Sequence, residues 1–149
     1  MSTLRITREF RFEMAHALLG YDGLCSNIHG HSYQLTVTII GTPVNDSLSP
    51  KNGMVIDFGE LKDIITKEII SKFDHAMVLN DAAPDKKQLM SMSLFSKVVF
   101  LPYQPTCENM LADFAARISK QLPAQVKLHN LRLRETHNAY AEWFAEDNQ

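Results

Sequence analysis

The chain has 149 residues, enough for one domain with a core that needs no disulfide staples, and residues 1–149 are expected to form a single domain. Its 45% apolar and 21% charged residues are ordinary for a globular protein, no run nears the roughly 20 apolar residues a membrane span needs, and two cysteines give no disulfide framework. A net charge of −2 with no basic run argues against nucleic-acid binding and for a small-molecule partner, and Met1–Ile6 holds no apolar signal core, so a reducing cytoplasm is the expected setting.

From Leu4 the chain alternates. Leu4, Ile6, Phe10, Phe12 and Met14 share one parity and Arg5, Thr7, Glu9, Arg11 and Glu13 the other, interrupted by Arg8, which predicts a half-buried strand. Residues 17–30 are irregular and contain Gly20, Gly23 and Gly30. Tyr33, Leu35, Val37 and Ile39 then alternate against Ser32, Gln34, Thr36 and Thr38 as a second strand, and Gly41 to Gly53 reads as a loop. Asp57 and Glu60 form a capping pair ahead of Leu61, Ile64, Ile65, Ile69 and Phe73, which line one face of a helix over about 58–73.

A polar link, Asp81 to Lys87, precedes an apolar cluster of Met90, Met92, Leu94 and Phe95, expected to cover core or meet a neighbouring subunit. The strand-like run Val98 to Leu101 follows, closed by Pro102 and Pro105. Thr106 suits the N-cap of a second helix through Leu122 that buries Leu111, Phe114, Ala115 and Ile118, and Pro123 ends it. Two β runs, Gln125 to Thr136 and Tyr140 to Phe144, complete an α+β chain of order ββααββ with a short extra strand between the helices, and the two helices on one side of antiparallel hairpins.

His16 has the parity of Phe12 and Met14, and His29 and His31 that of Tyr33 and Leu35, so all three imidazoles lean to the apolar face. In an antiparallel hairpin, the end of the first strand meets the start of the second there. Three neutral imidazoles suit zinc with an open coordination position, and Gly30 would let the backbone bend close to the metal. A lone His-x-His on an exposed strand means little; the third histidine on the matching face is what carries weight. Cys25 fits either a fourth ligand, closing a structural site, or a free thiol beside an open one.

Asp74 and His75 follow the first helix. The carboxylate would orient the imidazole for proton transfer; alternatively, His75 merely complements the negative helix end. Glu108 lies in the first turn of the second helix, where a carboxylate is favourable for structural reasons alone. Glu135 shares the parity of Leu131 and Leu133, so it ends an apolar face at a cost unless N–H donors pair with it. Arg132 and Arg134 face the other way, and Cys107 reads as a packing residue beside a cap.

Six ordered motifs stand out: Phe-Glu-Met-Ala-His16, Cys25-x-x-x-His29-Gly-His31, Gly53-Met-Val-Ile-Asp57-Phe, Asp74-His75-x-x-x-Leu-Asn80, Pro105-Thr-x-Glu-Asn109 and Arg134-Glu-Thr136. Together they resemble the 6-pyruvoyltetrahydropterin and 6-carboxytetrahydropterin synthase family, over residues 4 to about 144. The three-residue spacer after Cys25 resembles the bacterial carboxy-forming type of queuosine biosynthesis, the pyruvoyl-forming animal type having a longer one; the stretch Ala82 to Leu101 is longer than in short members.

The resemblance implies a tunnelling fold, a four-stranded antiparallel sheet with two helices on one face. It also implies a homohexamer, a dimer of trimers with active sites between subunits. The implied reaction is zinc-dependent conversion of 7,8-dihydroneopterin triphosphate to 6-carboxy-5,6,7,8-tetrahydropterin, acetaldehyde and triphosphate. Zn2+ would sit on His16, His29 and His31, Cys25 would accept a proton, His75 oriented by Asp74 would relay another, Glu135 would grip the pterin and join the relay, and Glu108 and Thr106 would line its pocket. The competing readings are a 6-pyruvoyltetrahydropterin synthase that eliminates triphosphate and, more remotely, a non-catalytic zinc-stabilised binding module.

Overall fold

The computed structural model describes residues 1–149. Strand β1 (Leu4–His16) runs antiparallel to β2 (His29–Gly41), pairing His16 with His29 and Met14 with His31. Helix α1 begins at Phe58–Ile65, passes through a π-helical turn at Thr66–Ile70 and finishes at Ser71–Phe73. Then come β3 (Ala76–Asn80), a short helix α2 (Lys86–Ser91), β4 (Val98–Leu101), helix α3 (Cys107–Ser119), β5 (Val126–Thr136) and β6 (Ala139–Phe144).

The expected four-stranded antiparallel sheet is corrected to a mixed sheet of six strands in the order β4-β3-β1-β2-β5-β6. The expected hairpin strands form its antiparallel block β1-β2-β5-β6, but β3 adds to β1, and β4 to β3, both parallel. Ala76, Met77, Val78 and Leu79 are all buried, so this segment shows no alternation. That is how a strand covered on both faces reads.

The alternation of β1 and β2 does hold: Phe12, Met14, Tyr33, Leu35, Val37 and Ile39 enter one core with Leu61, Ile65, Ile69 and Phe73 of the first helix and Met110, Leu111, Phe114 and Ile118 of α3. Phe12 stacks on Tyr33 with ring centroids 5.2 Å apart, and Phe114 meets Phe73 edge-on at 5.0 Å. Fully burying such a ring contributes about 1.5–3 kcal/mol.

Both helix starts have the expected caps. Asp57 accepts from the Gly59 amide at 2.6 Å and Thr106 from the Asn109 amide at 3.2 Å. Glu60, however, pairs with Lys51 rather than closing a capping box, and α3 stops at Ser119, short of Leu122.

Candidate active site

His16, His29 and His31 converge at the end of the β1–β2 hairpin, where their ligand nitrogens all lie within 4.8 Å of one another. The His16 Nδ1–H donates to the Pro105 carbonyl at 2.8 Å, so the turn before α3 aims that ring. The His29 Nδ1–H donates to the Asn27 carbonyl at 2.7 Å. With both Nδ1 atoms committed as donors, each Nε2 of the neutral rings carries a lone pair, yet the two Nε2 atoms stand 3.0 Å apart. Lone pairs at that distance repel unless a cation lies between them or one ring takes a proton.

A proton on His16 is opposed by burial. Burial lowers the pKa of His16 and of His31 from 6.5, outweighing the opposing pull of the Glu135 carboxylate. The buried His31 Nε2 has no hydrogen-bond partner. Such an orphan is costly in a protein interior and is what a ligand nitrogen awaiting a cation looks like. The donor set, all imidazole and with carbonyl partners behind two of the rings, fits zinc.

A Cβ at Gly30 would meet the Met14 carbonyl oxygen at 3.2 Å, so its missing side chain allows close pairing of β2 with β1.

Cys25 lies in the loop between the strands, on a three-residue turn, Leu24–Ser26. Its carbonyl accepts from the Leu18 amide at 2.8 Å, folding the loop back. Gln104 clamps the same loop, receiving the Leu19 amide at 3.0 Å and donating to the Leu19 carbonyl at 2.6 Å. Cys25 thereby lines a cavity of about 330 Å³ together with His16, His29, Thr106, Glu108 and Glu135. It is not among the mutually close ligand atoms, which come from the three histidines.

Glu135 reaches this cavity through a β-bulge. Arg134 pairs with Tyr140 and Thr136 with Ala139, so β5 carries one residue more than β6, and Glu135 is that residue. Its Oε2 accepts from the Tyr33 hydroxyl at 3.3 Å and its Oε1 lies 3.5 Å from His31 Nε2. Burial first, then the Glu135 charge, push the Tyr33 phenol well above its usual range, so Tyr33 stays a donor. Cys107, in the same wall, donates its thiol to the Leu133 carbonyl at 3.2 Å, and burial pushes its pKa up to about 12.

Asp74 and His75 lie elsewhere. His75 lines a second cavity, of about 470 Å³, with His31, Gly30 and Ser32. Its Nδ1 is 3.0 Å from Asp74 Oδ1, which also accepts the Glu13 amide at 2.9 Å. That amide bond, then His75 and Lys97, hold the Asp74 carboxyl below its ordinary pKa. His75 has φ of 59°, a left-handed backbone that costs a non-glycine residue about 1–3 kcal/mol. Within one chain, His75 and Cys25 thus open onto different cavities, with the histidine cluster at the wall between them.

Sequence reasoning missed Tyr33 and the Pro105 carbonyl. The first looked like one more core position on β2, and the second is a main-chain group with no sequence signal.

Residues 5–146 match the 6-pyruvoyl tetrahydropterin synthase family. The chain is 35% identical over 141 residues to the 6-carboxy-5,6,7,8-tetrahydropterin synthase of Haemophilus influenzae, covering 93% of this chain and 97% of that one. It is 30% identical to the protein of the same name from Aquifex aeolicus, covering 95% and 98%. Among solved structures, it is similar to protein WS1659 of Wolinella succinogenes, with a TM-score of 0.80 at 18% identity over 97% of this chain and 99% of that one. It is also similar to 6-pyruvoyl tetrahydropterin synthase of Caenorhabditis elegans, with a TM-score of 0.67 at 21% identity over 97% of each. The two structural likenesses bear on the fold; the match along nearly the whole sequence, with the histidine cluster inside it, decides membership, and the chain belongs to the 6-pyruvoyl tetrahydropterin synthase family.

Proposed function

We propose that this protein is a zinc-dependent carbon–carbon lyase that converts 7,8-dihydroneopterin triphosphate and one water to 6-carboxy-5,6,7,8-tetrahydropterin, acetaldehyde and triphosphate, in queuosine biosynthesis. The observation that carries the reading is the convergence of three histidine ligand nitrogens at the wall of a cavity that also holds a thiol and a carboxylate. The names of the relatives from Haemophilus influenzae and Aquifex aeolicus support the carboxy product.

In this reading His16, His29 and His31 hold the metal. When bound, zinc supplies Lewis acidity to the hydroxyl oxygens of the substrate side chain and acidifies the adjacent C–H. Cys25, which lines the cavity beside His16 and His29, takes the proton from that carbon. His75, its Nδ1 turned to Asp74, moves a proton on the opposite side of the side chain through its other ring nitrogen. Glu135 accepts the adjacent N–H donors of the pterin ring, steadied by the Tyr33 hydroxyl, and shares in the proton relay. Thr106 and Glu108 line the ring end of the same cavity.

The site is completed between subunits of a homohexamer, a dimer of trimers. Support comes from the placement of Cys25 and His75 on separate cavities of one chain, and from the outer strands β4 and β6, which have no partner on their free edges. The proposed setting is the cytoplasm; no helix is long and apolar enough to cross a membrane.

The family description favours a second reading, a pyruvoyl-forming synthase. Mass analysis of the products from 7,8-dihydroneopterin triphosphate separates the two. Acetaldehyde with the carboxylated pterin supports the first reading, and loss of triphosphate with the side chain retained supports the second. Unfolding on chelation with no turnover of any pterin would mark a zinc-stabilised binding module instead.

A further inference from the structure

The segment between β3 and β4, which no motif explains, ends in Lys97. Its ammonium donates to the Asp74 carbonyl at 2.6 Å and to the Ser71 carbonyl at 2.9 Å, the carbonyls at the end of the first helix. Its own carbonyl accepts the Met77 amide at 2.9 Å. Lys97 therefore holds the chain on both sides of His75, at Asp74 through its side chain and at Met77 through its main chain. It also fills the role of cation at the negative helix end, the alternative that the sequence suggested for His75.

The remaining fastening runs to β1. The His75 amide donates to the Glu13 carbonyl at 2.7 Å, and the Glu13 amide donates back to the Asp74 carboxylate at 2.9 Å. A left-handed histidine persists only where its surroundings over-determine it, and Glu13 and Lys97 are the two sides of that constraint. Leu94, Phe95, Ser96 and Lys97 form one wall of the cavity of about 470 Å³ that His75 and His31 also line. The same segment thus shapes the space in front of His75 and anchors the backbone behind it.

We propose that Lys97 is a positioning residue, which fixes the Asp74–His75 pair with the imidazole facing the cavity shared with His31, and that the segment from Ala82 to Lys97 serves to deliver it. The proposal rests on the reading of His75 as a proton carrier. Lys97 touches no reacting atom; it acts through the backbone of Asp74, which sets where the carboxylate meets His75 Nδ1.

The test compares Lys97→Met and Lys97→Arg with the wild type, all loaded with zinc and selectively labelled with 15N-histidine. In the wild type, the long-range 1H–15N spectrum is expected to show His75 as a single Nδ1–H tautomer, held by the Asp74 carboxylate. Lys97→Met is expected to give mixed His75 tautomers and a kcat at least about tenfold lower, with KM for 7,8-dihydroneopterin triphosphate within about twofold and zinc content unchanged. Lys97→Arg, which keeps a cationic donor, is expected to stay near the wild type in both readouts.

A Lys97→Met protein with the wild-type tautomer would overturn the proposal. So would equal impairment of the two variants, or loss of zinc or fold in Lys97→Met, because the role would then be general stability. If the wild type fails to turn over the pterin, the functional reading fails, while the His75 tautomer still decides the part played by Lys97.

Discussion

The Nε2 atoms of His16 and His29 face each other at 3.0 Å, each backed by a carbonyl on the far side of its ring. With both Nδ1 atoms committed as donors, the two neutral rings present acceptors to each other across that gap. A cation in that gap would turn repulsion into two ligand bonds, which would couple metal binding to folding.

Chelation is therefore expected to lower the thermal midpoint, and re-addition of zinc to restore it. At free metal a thousandfold above the dissociation constant, the gain is about 4 kcal/mol. His29→Ala, which removes a half-exposed ligand without opening the core, should abolish the zinc-dependent part of this gain. Calorimetry with and without metal reads the difference, and equal midpoints would remove the coupling.

Acid should act in the same direction on the metal-free protein. The pKa values of His16 and His31 are lowered from 6.5 by burial, so above about pH 6.5 both are neutral in the folded and the unfolded chain. As pH falls below 6.5, the unfolded chain binds protons that the folded one resists, and folding stability declines until the folded-state values are passed. Urea denaturation of the metal-free protein at pH 7.5 and 5.5 tests this sign; a higher urea midpoint at pH 5.5 would contradict it.

Glu135→Gln keeps the shape of the bulge but loses the charge that would accept two ring N–H groups. Hydrogen bonds to charged groups contribute about 1.5–3 kcal/mol, so pterin affinity is expected to fall roughly 10- to 100-fold while zinc content is unchanged. Isothermal titration with a non-reactive pterin measures this directly. Tyr33→Phe removes only the hydroxyl that steadies Glu135 and should weaken binding by less than tenfold.

The two cysteines should behave as different chemicals. With its pKa near 12, the Cys107 thiol is ionised in only about one molecule in ten thousand at pH 8, so iodoacetamide should spare it and modify Cys25. Peptide mass mapping after brief alkylation reads the ratio. Cys25→Ala should abolish turnover with zinc still bound; loss of zinc in that variant would point to a fourth ligand after all.

Much of this site was legible because β-strand parity is a strict rule. Phe12, Met14 and His16 had to share a face, as did His31 and Tyr33, and the hairpin brought those faces together. What stayed hidden had no period or no side-chain signal. β3 is buried on both faces, so Ala76 to Leu79 carried no alternation, and the sheet looked two strands smaller than it is. Glu135 was noticed for its cost, but the bulge that presents it depends on register with β6, which no local pattern encodes. Lys97 carries no sequence signal, since its partners are main-chain carbonyls more than twenty residues away.

The three histidines that could hold a metal all come from one hairpin, at residues 16–31, whereas the carbonyl that aims His16 comes from Pro105, 89 residues further on. On the ribosome, a nascent chain holds all three histidines long before it holds the turn that orients His16. A change near Pro105 would therefore be expected to loosen the aim of His16 while leaving all three histidines in place.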